Sequence, residues 1–331
     1  MSTWIARAAI ALLGGALIAG CTANARTTHN SNGGASAAAK TKTVKFRAGA
    51  YASKAFFKHW GDGKAELSGY KLVAPRYGAT HPGYAVLIYV TEPMDSATWI
   101  KDDGFGGRTV PRERRVDVIK LNHLQRFRTG IYTYALMAST FAPVHGLVAR
   151  ERFAPTKIAL SVQDWCGHVY YKVVPEADRF TTEIRSYFGS EGERTRRVAT
   201  SKGTLYEDAL LIQLRELDGK FNDGKPWSGK LVPTAWKSRK AHQPIEIVSA
   251  EIKRSDTKRG DTDVTRFVLT YGSFTRTFDV EKAAPHRVLY WEDSQGTKAT
   301  LLKTARLPYW ALHEPSHGDM IKKLGLEPKA L

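Results

Sequence analysis

The stretch Gln163-Asp164-Trp165-Cys166-Gly167-His168 sets a thiol between a carboxylate and an imidazole. If residues 163–169 run extended, Asp164, Cys166 and His168 share one face, as alternate side chains on a strand do. Those three types supply a nucleophile, a base and a group to orient the base. They point to a Cys166-dependent hydrolase or transferase, with His168 as base and Asp164 as orienter. Neighbours two apart on a strand are separated by about 6.5–7 Å, too far for a direct thiol–imidazole hydrogen bond. Activation therefore needs a bulge, which Gly167 would permit. The competing reading is a small buried cysteine beside structural Trp165 and His168, because cysteine is among the most buried residue types.

Trp165-Cys166-Gly167-His168 is also shared with the redox loop of disulfide isomerases, but position 169 is Val where that chemistry needs a second cysteine. Residues 169–174, Val-Tyr-Tyr-Lys-Val-Val, further read as a strand where a helix N-terminus would have to lower the thiol pKa. Dithiol redox is excluded. His313-Glu314-Pro315-Ser316-His317 matches the zinc pattern His-Glu-x-x-His, which works only when both histidines lie on consecutive turns of one helix. Pro315 places any helix start at or after itself, so His313 falls outside it. The glycine-rich Gly104-Phe105-Gly106-Gly107-Arg108 leads into Pro111 rather than a helix and matches no phosphate-loop fingerprint. Neither a metal nor a cofactor is expected.

Cys21 is the only other cysteine. It follows Arg7 and the apolar run Ala8 to Gly20, which is too short to span a bilayer. Leu17-Ile18-Ala19-Gly20-Cys21 resembles the lipobox of bacterial lipoproteins. The resemblance implies a signal peptide over residues 1–20, cleavage before Cys21, and acylation of that cysteine by diacylglyceryl and palmitate-type chains. Thr22 stands where an Asp would retain a lipoprotein at the inner membrane, so the implied address is the outer membrane, on its periplasmic face. Residues 21–45 are small and polar, without apolar periodicity, and read as a flexible tether with a mean reach of roughly 25 Å. With Cys21 acylated, Cys166 has no intramolecular partner, which excludes a disulfide scaffold.

The elements that would position these residues are mostly strands. Runs rich in Val, Ile, Thr, Tyr and Phe, bounded by Gly, Pro, Asn or Asp, cover 65–74, 84–91, 115–125, 131–141, 157–163, 168–174, 179–187, 245–252, 264–271, 274–280, 287–292 and 298–307. Helical spacing is confined to 206–217, with shorter stretches at 52–60 and 319–324. Residues 227–240, with Pro226 and Pro233, read as irregular. The basic runs 194–197, 237–240 and 253–259 read as solvated loops. The pattern predicts a mainly β fold, a curved antiparallel sheet or half-barrel in one or two portions, with few short helices. The β-rich portions are 46–200 and 221–331, joined by a connecting helix in 201–220, or one continuous domain over 46–331.

The chain has 331 residues, 50 Lys and Arg against 32 Asp and Glu, and a formal charge of +18. In an exported protein that excess turns toward anionic lipid, lipopolysaccharide or cell-wall polymer, and nucleic acid is not an expected partner. Trp60-Gly61-Asp62-Gly63-Lys64-Ala65-Glu66, Arg76-Tyr77-Gly78, the run Ala85 to Glu92, Leu121-Asn122, Thr129-Gly130-Ile131-Tyr132 and the block Gln163 to His168 together resemble a family of uncharacterised bacterial lipoproteins. Some of its members carry the label septum formation inhibitor Maf. Maf proteins themselves are cytoplasmic nucleotide pyrophosphatases with a Ser-Pro-Arg-Arg-type motif near the N-terminus, which this chain lacks, so that activity is not expected. The resemblance brings no established active site. The expected function is a lipid-anchored envelope protein with a binding or assembly role, its curved sheet offering a concave face to an amphiphile or polymer. The alternatives are the Cys166 enzyme and a structural spacer on anionic wall or lipid.

Overall fold

The computed structural model describes residues 43–328 apart from 105, 106, 108, 149 and 217–220. The expected signal peptide, Cys21 and nearly all of the expected tether lie outside the described residues, as do three residues of the glycine-rich loop and the expected end of the 206–217 helix. Helix α1 (Lys54–Trp60) precedes strands β1 (Ala65–Arg76), β2 (Ala79–Asp95), β3 (Ile100–Lys101), β4 (Arg115–Thr129), β5 (Tyr132–Pro143), β6 (Lys157–Asp164), β7 (Gly167–Pro175), β8 (Arg179–Ser186) and β9 (Glu193–Ala199). Then come β10 (Leu205–Tyr206), α2 (Leu210–Glu216), β11 (Trp227–Val232), α3 (Ala235–Ala241), β12 (Val248–Arg259), β13 (Thr262–Tyr271), β14 (Phe274–Glu281), β15 (Val288–Asp293) and β16 (Lys298–Leu307).

All sixteen strands belong to one open sheet, ordered β10 to β16, then β1, β2 and β4 to β9, with β3 paired to β2 alone. The first and last halves of the meander join through the antiparallel β1–β16 pair, so both β-rich stretches share one sheet. Tight turns set the register: Arg76 pairs Ala79 around Tyr77-Gly78, Thr129 pairs Tyr132 around Gly130-Ile131, and Asp164 pairs Gly167 around Trp165-Cys166. The glycines at 78 and 130 adopt positive φ, which a two-residue turn requires and a β-carbon resists.

The sheet is strongly curled. His123 on β4 lies four strand spacings from Trp291 on β15, about 19 Å across a flat sheet, yet their rings are 5.3 Å apart, edge to face. Inside the curl lies α2, and all seven of its residues are buried. A helix buried on every side belongs to the core, and its polar Gln213, Arg215 and Glu216 are buried with the leucines. Leu210, Leu211, Ile212 and Leu214 pack there with Tyr70, Tyr89, Phe180, Phe267 and Phe278, each such aliphatic side chain contributing about 1.5–3 kcal/mol by leaving water. The concave face expected to receive an amphiphile is thus filled by the chain's own core. On the outer face a 3-10 segment, Pro315–Leu324, sets Leu324 against Ala65, Leu67 and Val86. A β-carbon at Gly69 would stand 2.3 Å from the Leu324 carbonyl oxygen, so glycine is required for that approach.

Three basic runs differ from the loop reading. Residues 194–197 lie in β9, an edge strand whose outward residues are exposed, and charge on such an edge discourages pairing with another chain. Residues 253–259 form the outer part of β12, where the β12–β13 hairpin runs past the core and the alternation fades. The run 237–240 lies in α3, and residues 227–240 as a whole are ordered as β11 and α3, not irregular. Thr234 caps α3 by accepting from the Lys237 amide, and a seven-residue helix is too short to show a periodic face.

Candidate functional site

Asp164, Cys166 and His168 do not sit on one extended face. Trp165 and Cys166 form the apex of the β6–β7 turn, so the alternation is interrupted and Asp164 faces Gly167 across the hairpin. The Asp164 carboxylate accepts the Cys166 backbone N–H at 2.6 Å, the usual work of aspartate in a turn. Cys166 is exposed. The adjacent carboxylate pushes its thiol pKa upward, the reverse of what a nucleophile needs. His168 points to solvent from β7, paired with Gln163. His313 and His317 follow the proline rule: the 3-10 segment starts at Pro315, Glu314 is its cap, and the Glu314 amide donates to His317 Nδ1 at 3.3 Å. Among the described residues no group of three His, Cys, Asp or Glu could hold a metal.

The polar site lies elsewhere, under α3 at the N-terminal end of α2. Its walls come from β4 and β5 (His123, Gln125, Thr140), the segment leading into α2 (Glu207, Asp208), α3 (Trp236, Lys237, Lys240), β14 (Arg276) and β15 (Trp291). Each element is there for a local reason. Glu207 accepts from Arg276 at 3.0 Å, from the Tyr271 hydroxyl at 3.0 Å and from the Thr234 amide at 3.3 Å. Asp208 accepts from the Ala235 amide at 3.0 Å. The acidic pair therefore closes the N-terminus of α3, where free N–H groups favour negative charge. Lys237 and Lys240, three apart, fall on the same face of α3 and line the cavity.

Three carboxylates, Glu207, Asp208 and Asp293, and three cations, Lys237, Lys240 and Arg276, line this cavity, so its formal charge balances but its hydrogen bonding does not. Neither Lys237 nor Lys240 has a carboxylate within 4.0 Å among the described residues. The Lys237 ammonium instead lies over the rings of Phe274 at 3.9 Å and Tyr271 at 4.3 Å. Burial pushes both lysine pKa values down. Two further donors, Arg276 Nε and Trp291 Nε1, are buried without a hydrogen-bond partner. An unanswered buried donor costs about 1–3 kcal/mol, and these two share one cavity with the unpaired lysines. Gln125 donates to His123 Nε2 at 3.0 Å, and burial holds the imidazole neutral, with its pKa lowered to about 3. Burial raises Asp208 to about 7, aided by the neighbouring Glu207 charge. The cavity measures about 50 Å³, room for roughly four waters or one group the size of phosphate.

A larger hollow of about 400 Å³ opens at the opposite end of the sheet, between Arg47, Arg150, Glu151 and Gln213. Its arginines are answered: Arg47 pairs with Glu151, and Arg150 donates to the backbone carbonyls of Pro155 and Pro175, while Lys202 at its rim is exposed to solvent. Only the cavity under α3 combines unpaired cations with unpaired donors among these two. No composition or spacing signal pointed to it, because Lys237, Arg276 and Trp291 are brought together by sheet curvature. No protein-family model, curated protein or solved structure matches the chain.

Proposed function

We propose that this is an envelope protein with a binding role, attached to the bacterial outer membrane through lipid at Cys21, and that its cavity under α3 holds a small anionic group. The observation that carries the binding site is the set of donors facing the cavity without an ion-pair or hydrogen-bond partner: Lys237, Lys240, Arg276 Nε and Trp291 Nε1. A desolvated cavity strengthens attraction for an anion, because no bulk water screens it. Its size favours a phosphate, sulfate or carboxylate head over an acyl chain. The carboxylates lining the cavity are engaged: Glu207 accepts from Arg276 and Tyr271, Asp208 from the Ala235 amide, and Asp293 from the Gln295 and Thr297 amides. An envelope address supports the reading by supplying phosphorylated and carboxylated molecules, and no nucleotide pyrophosphatase chemistry is proposed.

The test is thermal unfolding against inorganic phosphate, sulfate and a set of mono- and dicarboxylates. At a ligand concentration 100 times Kd, binding to the folded state stabilises by about 2.7 kcal/mol, visible as a rise in Tm. Lys237→Met keeps the aliphatic stem over Tyr271 and Phe274 and removes the charge, so it should abolish that rise. Absence of a saturable rise with every anion, or a rise that survives both Lys237→Met and Lys240→Met, removes the anion reading. Attachment is checked separately by labelling with a palmitate analogue: the native chain should take up label, and Cys21→Ser should not.

A further inference from the structure

Four hairpin tips line up at one end of the sheet, because β1–β2, β4–β5, β6–β7 and β8–β9 all turn in the same direction in the meander. Each tip carries one large exposed side chain: Tyr77 is 62% exposed, Ile131 73%, Trp165 72% and Tyr187 73%. The tips are two strands apart, so the row runs about 30 Å along the curved sheet at some 10 Å per hairpin. Aromatic contacts connect it. The Tyr77 and Tyr134 hydroxyls are 2.6 Å apart, Tyr132 lies 6.3 Å from Trp165, and Tyr187 packs over Gly167.

Arginine flanks this row. Arg76 lies over the Tyr77 and Tyr134 rings, Arg128 precedes the β4–β5 tip, and Arg194 follows the β8–β9 tip. Arg128 and Arg194 are exposed and make no ion pair among the described residues. The acidic groups nearby are engaged: Asp164 holds the Cys166 amide, and Glu193 lies 3.8 Å from Arg185. The same end carries α3, since β11 reaches it at Val232.

We propose that this row of tips docks on a lipid bilayer containing anionic lipid, with Tyr77, Ile131, Trp165 and Tyr187 entering the interface and Arg128 and Arg194 meeting the headgroups. Trp and Tyr suit that region because an apolar ring and a polar handle are both satisfied at the level of the headgroups. Large side chains projecting from separate apices fit a fluid surface that closes around each tip. A protein partner would need continuous close packing over roughly 800 Å². Charge complements the choice: an arginine near an anionic leaflet is attracted within a Debye length, and the whole chain carries +18. The inference stands on the tips alone and is independent of what the cavity under α3 binds.

The test uses the full chain carrying Cys21→Ser, so that no acyl group provides attachment, with vesicles of phosphatidylcholine alone or mixed with phosphatidylglycerol. Brominated acyl chains quench tryptophan that enters the interface. Quenching should fall in Trp165→Phe and persist in Trp310→Phe, which alters an exposed tryptophan beyond the far end of β16. Trp165→Ser should weaken vesicle binding about tenfold, and Arg128→Gln about fivefold on anionic vesicles only. Equal quenching in the parent and Trp165→Phe overturns the proposal. So does dimerisation in solution that the tip variants abolish while vesicle binding is unchanged, which would make a second copy the occupant.

Discussion

At the C-terminal end of α2, Arg215 lies between Glu66 and Glu216. At its N-terminal end, Glu207 lies between Arg276 and Tyr271. Both clusters are buried inside the same curled sheet, but the first is closed. Arg215 donates to Glu66 at 2.7 Å and to the Pro285 carbonyl at 2.9 Å, its Nε is 3.1 Å from Glu216, and its plane lies against Tyr89. His59 and the Trp60 indole satisfy the remaining carboxylate oxygens of Glu66 and Glu216 at 3.0 Å each. Burial alone would raise Glu66, yet Arg215 and His59 hold its carboxyl down at about 2. The second cluster satisfies its acids and leaves cations and N–H donors facing a cavity. Arg215 Nε, like Arg276 Nε, lacks a hydrogen-bond partner, but every charge of the first cluster is ion-paired, which marks it as architecture. The unpaired lysines and indole facing a cavity mark the second as a place for a ligand.

The largest test of this contrast removes one partner at each end. Arg215→Leu strands Glu66 in the core and should cost about 3–5 kcal/mol, read from the urea midpoint at constant m-value. Replacing both residues by leucine should recover part of that loss, because a buried pair often exchanges for apolar packing at little net cost. Lys237→Met should change stability by less than about 1 kcal/mol, since thioether–aromatic contact replaces cation–π contact. A Lys237→Met loss as large as that of Arg215→Leu would make both ends architectural.

A smaller effect concerns pH. Asp208 is raised from 3.8 to about 7, so between about pH 4 and 7 the folded state keeps a proton the unfolded chain has released. Its contribution to stability therefore falls as pH rises through that window. His123 is lowered from 6.5 to about 3, so between about pH 3 and 6.5 the unfolded chain takes up a proton the folded state refuses. Its contribution is lost as pH falls. The two slopes oppose each other within one cavity. Asp208→Asn should expose the histidine slope as steeper acid destabilisation. His123→Gln should expose the aspartate slope as stability that rises on acidification from pH 7 to 4. Each amounts to a few kcal/mol across its window. Parallel stability–pH curves for the two variants would show that the groups are not desolvated together.

Most of the sheet could be read along the chain because its strands bury one face at a time. β4 alternates from Ile119 to Phe127, and β6, β7 and β13 from Thr265 onward do the same. What escaped were elements whose residues answer to something other than alternation. β9 is polar as an edge, α3 is too short to be periodic, and the outer part of β12 extends past the core. The cavity was illegible for a different reason. Thr140, Glu207, Lys237, Arg276 and Trp291 come from five elements and meet only through curvature, which a list of strands does not encode. Cys166 stood out because its neighbours are adjacent in sequence, and adjacency in a turn brought Asp164 to a backbone amide instead of an imidazole.

The smallest expected effect is at that cysteine, and it separates turn chemistry from site chemistry. Since the Asp164 charge is what raises the thiol, Asp164→Asn should speed iodoacetamide alkylation at pH 8 by roughly two- to threefold through a larger thiolate fraction. His168→Ala should leave the rate within about twofold, because an exposed imidazole on β7 that does not hold the thiol cannot set its ionisation. The native rate should not exceed that of free cysteine. A rate well above free cysteine that collapses in His168→Ala would mean that thiol and imidazole pair in solution. The contrast between a closed cluster and an open cavity would then have to admit a third site at the β6–β7 apex.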